Sequence, residues 1–222
     1  QFNFNICGNK PFQLYVEDSN ECKDSIPGSV DVWCEPTANF NANTECFGDS
    51  TFFLDASIPT GTITSWEWIF GDGNTSMLQD PTHLYTSCDT FLVELRITDS
   101  NGCNDTIWKD VVVWCLPNPS FTSDEVCQGE STTFYSTSTQ GNNPSGGLDS
   151  WLWSFTTTDN ETVQHTYPSC GTFPETLIVT DTNQCSDMFT DTVVVYCNPT
   201  ATFNVNPACF DDQPISFTNT SS

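Results

Sequence analysis

A chain of 222 residues carries 29 acidic against 4 basic side chains, a formal net charge of −25. That balance excludes recognition of a phosphate backbone, which needs Lys and Arg to displace counterions, and it speaks against anionic membrane surfaces. Its 12 cysteines include no Cys-x-x-Cys pair and therefore point to disulfides, an oxidising compartment and an extracellular or cell-surface location.

Taken in chain order, the cysteines mark a repeating succession. Cys7-Gly-Asn opens an alternating apolar stretch, Asp18-Ser-Asn-Glu-Cys22 supplies a turn, and Ser29-Val-Asp-Val-Trp-Cys34 closes a second strand. The same order returns at Cys88, Cys103 and Cys115, and again at Cys170, Cys185 and Cys197. A fourth series, Cys46, Cys127 and Cys209, precedes another strand. All four series step by 81 and then 82 positions, so the period is about 81 residues. Gln1 then falls opposite Thr82 and Ser222 opposite Pro59. The expected organisation is the second half of a domain in residues 1–35, complete domains in 36–116 and 117–198, and the first strands of another in 199–222. No secretory leader is visible, and the two ends lack a counterpart of Thr60–Pro81, whose aromatics each bury ~150–250 Å². The chain is therefore expected to be a window on a longer array.

Within a repeat, strands dominate. Phe91, Val93, Leu95 and Ile97 alternate with Leu92, Glu94, Arg96 and Thr98, the period of a half-buried strand. Asp99-Ser-Asn-Gly102 supplies the turn, Gly102 being suited to positive φ, and Asp110–Trp114 returns as the partner strand. No sustained helical period occurs. The pattern predicts an all-β chain of short strands, a sandwich in each repeat.

The run Trp66-Glu-Trp68-Ile-Phe70-Gly71-Asp72-Gly73, followed by Asp80-Pro-Thr-His83-Leu-Tyr85 and by Phe91-Leu-Val-Glu-Leu-Arg-Ile-Thr-Asp99, resembles the PKD domain. The third repeat keeps Trp151, Trp153, Phe155, His165 and Tyr167 but has Thr156-Thr-Thr158 where the Gly-Asp-Gly turn would fall. The resemblance implies Ig-like sandwiches of two antiparallel sheets, arranged as tandem extracellular modules that serve as spacers, adhesion elements or appendages of secreted enzymes. Independently, the Trp pair two residues apart places both rings on one face, and Gly71 and Gly73 permit a tight turn out of that strand.

In such a sandwich the positions of Cys46, Cys88 and Cys115 share one pole, whereas Cys103 lies at the other, about 20–25 Å away along a strand. Disulfides need Cα atoms within about 7 Å. The preferred pairing is therefore Cys46–Cys88 and Cys127–Cys170 within domains, with Cys34–Cys103 and Cys115–Cys185 joining neighbours. The alternative is Cys88–Cys115 and Cys170–Cys197 across adjacent strands.

Candidate chemistry is sparse. His83 and His165 occupy one repeat position with no companion ligands at fixed spacing, so a structural imidazole bonding a nearby loop is expected rather than a base or metal ligand. Calcium is the one cation considered, through loop carboxylates such as Asp72, Asp80, Asp99 and Asp105, although neither EF-hand nor nonapeptide spacing occurs. Asn74, Asn104, Asn160 and Asn219 head N-x-S/T sequons, and Ser25, Ser50, Thr106 and Thr192 sit in Asp-Ser/Thr triplets resembling a bacterial O-glycosylation signal. The expectation is a non-catalytic structural segment of a filament, stalk or surface fibre, glycosylated, whose partners are further repeats, neighbouring copies and glycans. The alternative is an adhesin or carbohydrate-binding accessory module, stiffened by calcium, with outward Trp108 or Trp114 as its platform. At position 114 the series Trp33, Trp114 and Tyr196 repeats the aromatic, which favours the scaffold.

Overall fold

The computed structural model describes residues 4, 6–142, 146–206, 215 and 217–222. Cys209 of the fourth cysteine series lies outside the described residues. The chain divides into two compact units, Gln1–Trp114 and Cys115–Ser222.

The first unit opens with an antiparallel hairpin, β1 (Gly8–Glu17) and β2 (Lys23–Val32), in register from Gly8 opposite Val32 to Glu17 opposite Lys23. Its turn is built by Asp18, whose Oδ1 accepts from the backbone N–H groups of Asn20 (2.8 Å) and Cys22 (2.9 Å). An Asx turn of this kind needs a short side-chain oxygen acceptor at its first position, which Asp supplies in all three turns. Asp99 accepts from Asn101 and Cys103, and Asp181 from Asn183 and Cys185, each at 2.9 Å. The residue before each cysteine adopts positive φ: Glu21 at 66°, Gly102 at 84° and Gln184 at 68°.

The second repeat then runs through β3 (Phe40–Ala42), β4 (Glu45–Cys46), β5 (Thr51–Asp55), β6 (Ile63–Ile69), β7 (Thr75–Ser76), β8 (Thr82–His83), β9 (Asp89–Asp99) and β10 (Asn104–Trp114). They form two sheets, β3-β5-β8 and β4-β10-β9-β6-β7. The first strand thus breaks after Ala42 and changes sheets, β4 pairing parallel with the end of β10. Inward positions of both sheets supply the core. Phe40, Phe53, Trp68, Phe70, Tyr85, Val93, Leu95 and Ile97 are all buried, as the alternation of β9 predicts.

In the second unit the same order recurs as β11 (Phe121–Ser123), β12 (Val126–Cys127), β13 (Ser131–Ser136), β14 (Leu148–Trp153), β15 (Thr162–Thr166), β16 (Gly171–Asp181) and β17 (Ser186–Tyr196). The sheets are β11-β13-β15 and β12-β17-β16-β14, with β12 again parallel to β17. The chain ends in a short ribbon, β18 (Phe203–Val205) with β19 (Phe217–Asn219).

Gly71 and Gly73 take φ of 84° and 96° in the turn leaving β6, as their place in the motif requires. A Cβ on Gly71 would stand 2.8 Å from the Leu92 carbonyl oxygen, a backbone atom with no freedom to move aside. Gly71→Ala is expected to lower stability by about 1–3 kcal/mol through strain at positive φ, read as a shift in the denaturant midpoint at unchanged m-value.

Candidate functional site

The motif residues gather into one aromatic and polar cluster per repeat. In the second repeat Trp68 is fully buried, its ring edge-on to Phe40 with centroids 5.2 Å apart, and its Nε1 donates to the Leu78 carbonyl (2.9 Å). Trp66, two residues earlier on the same face, is half-buried and donates to Asp55 Oδ2 (2.8 Å). His83 stacks on Phe70 at 4.2 Å and meets Tyr85 edge-on at 4.5 Å. Its Nε2 contacts Asp72 Oδ2 at 2.7 Å, so the imidazole bonds the neighbouring Gly-Asp-Gly loop as the sequence predicts. The Tyr85 hydroxyl donates to the Phe70 carbonyl (3.1 Å), and burial, followed by the Asp72 charge, drives its pKa up.

Asp72 is partly buried, which by itself would raise its pKa. The Asn74 N–H at 3.0 Å and the His83 contact outweigh that effect and hold the carboxyl below its ordinary 3.8. Because the folded value is depressed, the ionised group stabilises the fold above 3.8, and that contribution disappears as pH falls below it. Asp72→Asn is expected to flatten the acid limb of a thermal-melting profile in this range. An acid limb of unchanged steepness would contradict the assignment.

The third repeat solves the same problem differently. Trp151, Trp153, Phe155, His165 and Tyr167 occupy the equivalent places, with Trp153 buried and its Nε1 donating to the Asn160 carbonyl (2.9 Å). Where the second repeat buries Val93, however, the third buries Glu175. Its carboxylate accepts from the Tyr167 hydroxyl (2.9 Å) and from Ser154 Oγ. Burial, then the bond to Glu175, raises the Tyr167 pKa. Nothing in the period of β16 flags this acid, since a carboxylate at an inward strand position is acceptable only when such partners converge on it.

The cysteines correct the preferred pairing at two of its four bonds. Cys34 is bonded to Cys7, not to Cys103, with Cα atoms 5.1 Å apart, and Cys170 to Cys197, not to Cys127, at 4.8 Å. Cys22, Cys103 and Cys127 are free thiols. The reason is register. Gly8 faces Val32 and Gly171 faces Val195, so each pair lies diagonally across the open end of one hairpin, within disulfide reach. The Cys170–Cys197 alternative is the one observed. Cys46, Cys88, Cys115 and Cys185 are disulfide-bonded as well.

The loop carboxylates considered for calcium are dispersed and already engaged with N–H donors. Asp80 accepts from Asp55 N–H and Asp105 from Ala38 N–H, each at 2.8 Å, while Asp99 is consumed in its turn. Among the described residues no three His, Cys, Asp or Glu side chains converge as a metal site. The sequon residues Asn74, Asn104, Asn160 and Asn219 are exposed, as are Ser25, Ser50 and Thr192, whereas Thr106 is half-buried in β10. Trp108 is exposed and donates to Glu94 Oε2 (3.1 Å), while Trp114 is half-buried.

The comparisons with known proteins agree with this architecture. Residues 33–113 and 116–197 each match the family model described as PKD domain. A microbial collagenase of Vibrio alginolyticus is 39% identical over 84 residues, covering 36% of this chain and 10% of the collagenase. The pre-pro-metalloprotease PrtV of Vibrio cholerae is 33% identical over 138 residues, covering 58% of this chain and 15% of that protein. The chain therefore spans 10–15% of the length of these curated relatives. The crystal structure of the PKD1 domain from PrtV is 33% identical with a TM-score of 0.34, covering 36% of this chain and 98% of that domain. The eight N-terminal Ig domains of Down syndrome cell adhesion molecule share the fold at 12% identity, with a TM-score of 0.52 over 90% of this chain and 29% of theirs. With the Trp-x-Trp strand, the His–Tyr pair and the two sheets in both repeats, the chain belongs to the PKD-domain family and carries two consecutive members of it.

Proposed function

We propose that this chain is a non-catalytic structural segment of an extracellular filament, stalk or surface fibre, glycosylated on its exposed sequons, whose partners are further repeats or copies of itself. One observation carries the reading: both repeats spend the polar groups of their motif inside the aromatic cluster. The His83 imidazole is occupied by Asp72 and the Tyr167 hydroxyl by Glu175, which are the uses of a scaffold rather than of a reactive cleft. The repeated aromatic of Trp33, Trp114 and Tyr196 supports it, because a scaffold presents the same side chain in each unit. Electron microscopy of native material, labelled with antibody against this chain, is expected to decorate continuous fibres. Label confined to scattered particles would overturn the proposal. Intact mass spectrometry of native material is expected to show sugar, and an unmodified mass would remove that part of it.

A second reading, an accessory module of a secreted enzyme or adhesin, is favoured by the names of the collagenase and metalloprotease relatives. The exposed, unrepeated Trp108 is its candidate contact. This reading requires Trp108→Ala to weaken binding to a polysaccharide or collagen surface, and its calcium-stiffened form requires a melting temperature that falls on chelation. The scaffold reading expects neither change.

A further inference from the structure

One face of the hairpin β1–β2 is apolar and open to solvent. Phe12, Leu14 and Val16 on β1 share it with Ile26 and Val30 on β2, and all five are exposed. They stand one period before Val93, Leu95, Ile97, Ile107 and Val111. In the second repeat Val93, Leu95, Ile97 and Val111 are buried in the core, and Ile107 packs against it. The hairpin thus presents one side of a core: Leu14 is 56% exposed where Leu95 is 0%. A groove of about 660 Å³ runs beside this face, lined by Phe4, Pro11, Phe12, Gln13, Leu14 and Val30. A second open face lies on the ribbon β18–β19, where Phe203 and Phe217 are exposed with ring centroids 5.8 Å apart at 57°. The first strands of both complete repeats carry the same pair, Phe40 with Phe53 at 6.2 Å and 52°, and Phe121 with Phe134 at 6.0 Å and 56°. Register agrees as well, since Val205 faces Phe217 as Ala42 faces Phe53 and Ser123 faces Phe134. In each complete repeat that aromatic pair shares one core with the apolar residues of the last two strands.

Building on the scaffold reading above, we propose that the hairpin face docks a second copy of this chain, whose ribbon lays Phe203 and Phe217 against Phe12, Leu14 and Val16. Neither face has a counterpart of Trp68. The hairpin makes up aromatic volume with Phe12, which stands where the second repeat has Val93. Its paired residue is Gly28, and a Cβ there would stand 2.5 Å from the Phe12 ring. In the second repeat the paired residue is Lys109, so only the hairpin has room for a large ring at the centre of this face. Each copy carries one face of each kind, and such a contact joins copies head to tail in an open series rather than in closed pairs. Burial of the apolar side chains drives the contact and the net charge of −25 opposes it, so association tightens as salt screens the repulsion.

The test is sedimentation of the full 222-residue chain, its free thiols blocked with N-ethylmaleimide, from about 1 µM to about 1 mM. The mean mass is expected to climb past two copies as concentration rises. Leu14→Asp and Phe217→Asp alter side chains already in solvent, so both variants should keep the fold, checked by circular dichroism. Each alone is expected to weaken association about a hundred-fold or more, because the contact would bury an unpaired carboxylate. A mixture of the two variants retains one intact hairpin face and one intact ribbon, and it is expected to reach two copies and stop there. A wild-type chain that stays monomeric would overturn the proposal, as would self-association that persists in either variant or a mixture that does not pair. Fibres in native material together with a monomeric chain in this test would remove this contact and leave the scaffold reading standing.

Discussion

Replacing Trp68 with alanine is expected to destabilise the second repeat by about 3–5 kcal/mol. The indole is fully buried and touches Phe40 and Phe53 with centroids 5.2 and 5.4 Å away, so truncation opens a cavity between the two sheets. It also removes the donor to the Leu78 carbonyl, leaving that acceptor without its indole partner. A domain of this size is stable by only about 4–12 kcal/mol in total, so the loss is a large fraction. Guanidinium unfolding followed by circular dichroism is the measurement. Trp68→Phe, which keeps part of the volume, is expected to fall between the two. Trp153→Ala should act with similar size on the third repeat, because its ring lies 5.4 Å from Phe121 and 5.5 Å from Phe134.

Cys170→Ser is expected to cost the third repeat about 3.5 kcal/mol. The bond to Cys197 closes a separation of 27 residues, and a loop of that length loses this much unfolded-state entropy in the chain-entropy account. Two companion substitutions make the comparison sharp. Cys127→Ser should change stability by less than about 0.5 kcal/mol, since it removes a half-buried thiol outside the bridge. Cys197→Ser should cost about as much as Cys170→Ser, because either substitution opens the same loop. Clearly unequal losses for Cys170→Ser and Cys197→Ser would contradict a single bridge between them.

Much of this fold is local and therefore legible in the chain. The three Asp-x-Asn-x-Cys turns need only an aspartate to cap two backbone donors, and that requirement is written within five residues. The alternation of β9 and the glycine turn after β6 are equally short-range. The disulfides are not, because the Cys7–Cys34 and Cys170–Cys197 bridges each follow from the register of a hairpin, and spacing along the chain does not give that register. Glu175 is hidden for a related reason. Its burial depends on Ser154 and Tyr167, 21 and 8 positions away, and a strand's period has no means of announcing them. The sheet switch after Ala42 also depends on distant residues, since β4 exists only through the end of β10.

That switch has a mechanical consequence. β4 runs parallel to β10, so the strand near the start of the second repeat and the strand that ends it point the same way. A pull that separates the two ends of the repeat then slides these strands past each other, loading their bonds together instead of opening them one at a time. Lys109 adds a pin across the same seam. Its ammonium donates to Asn39 Oδ1 (2.7 Å) and to the Phe40 carbonyl while standing 5.0 Å from the Phe40 ring centroid. In the third repeat Asp191 stands in its place, where no such donor is available. The third repeat instead ties its parallel pair with the Tyr196 hydroxyl, which donates to Glu125 Oε2 (2.7 Å), so under steady tension the two repeats resist forced opening through different bonds.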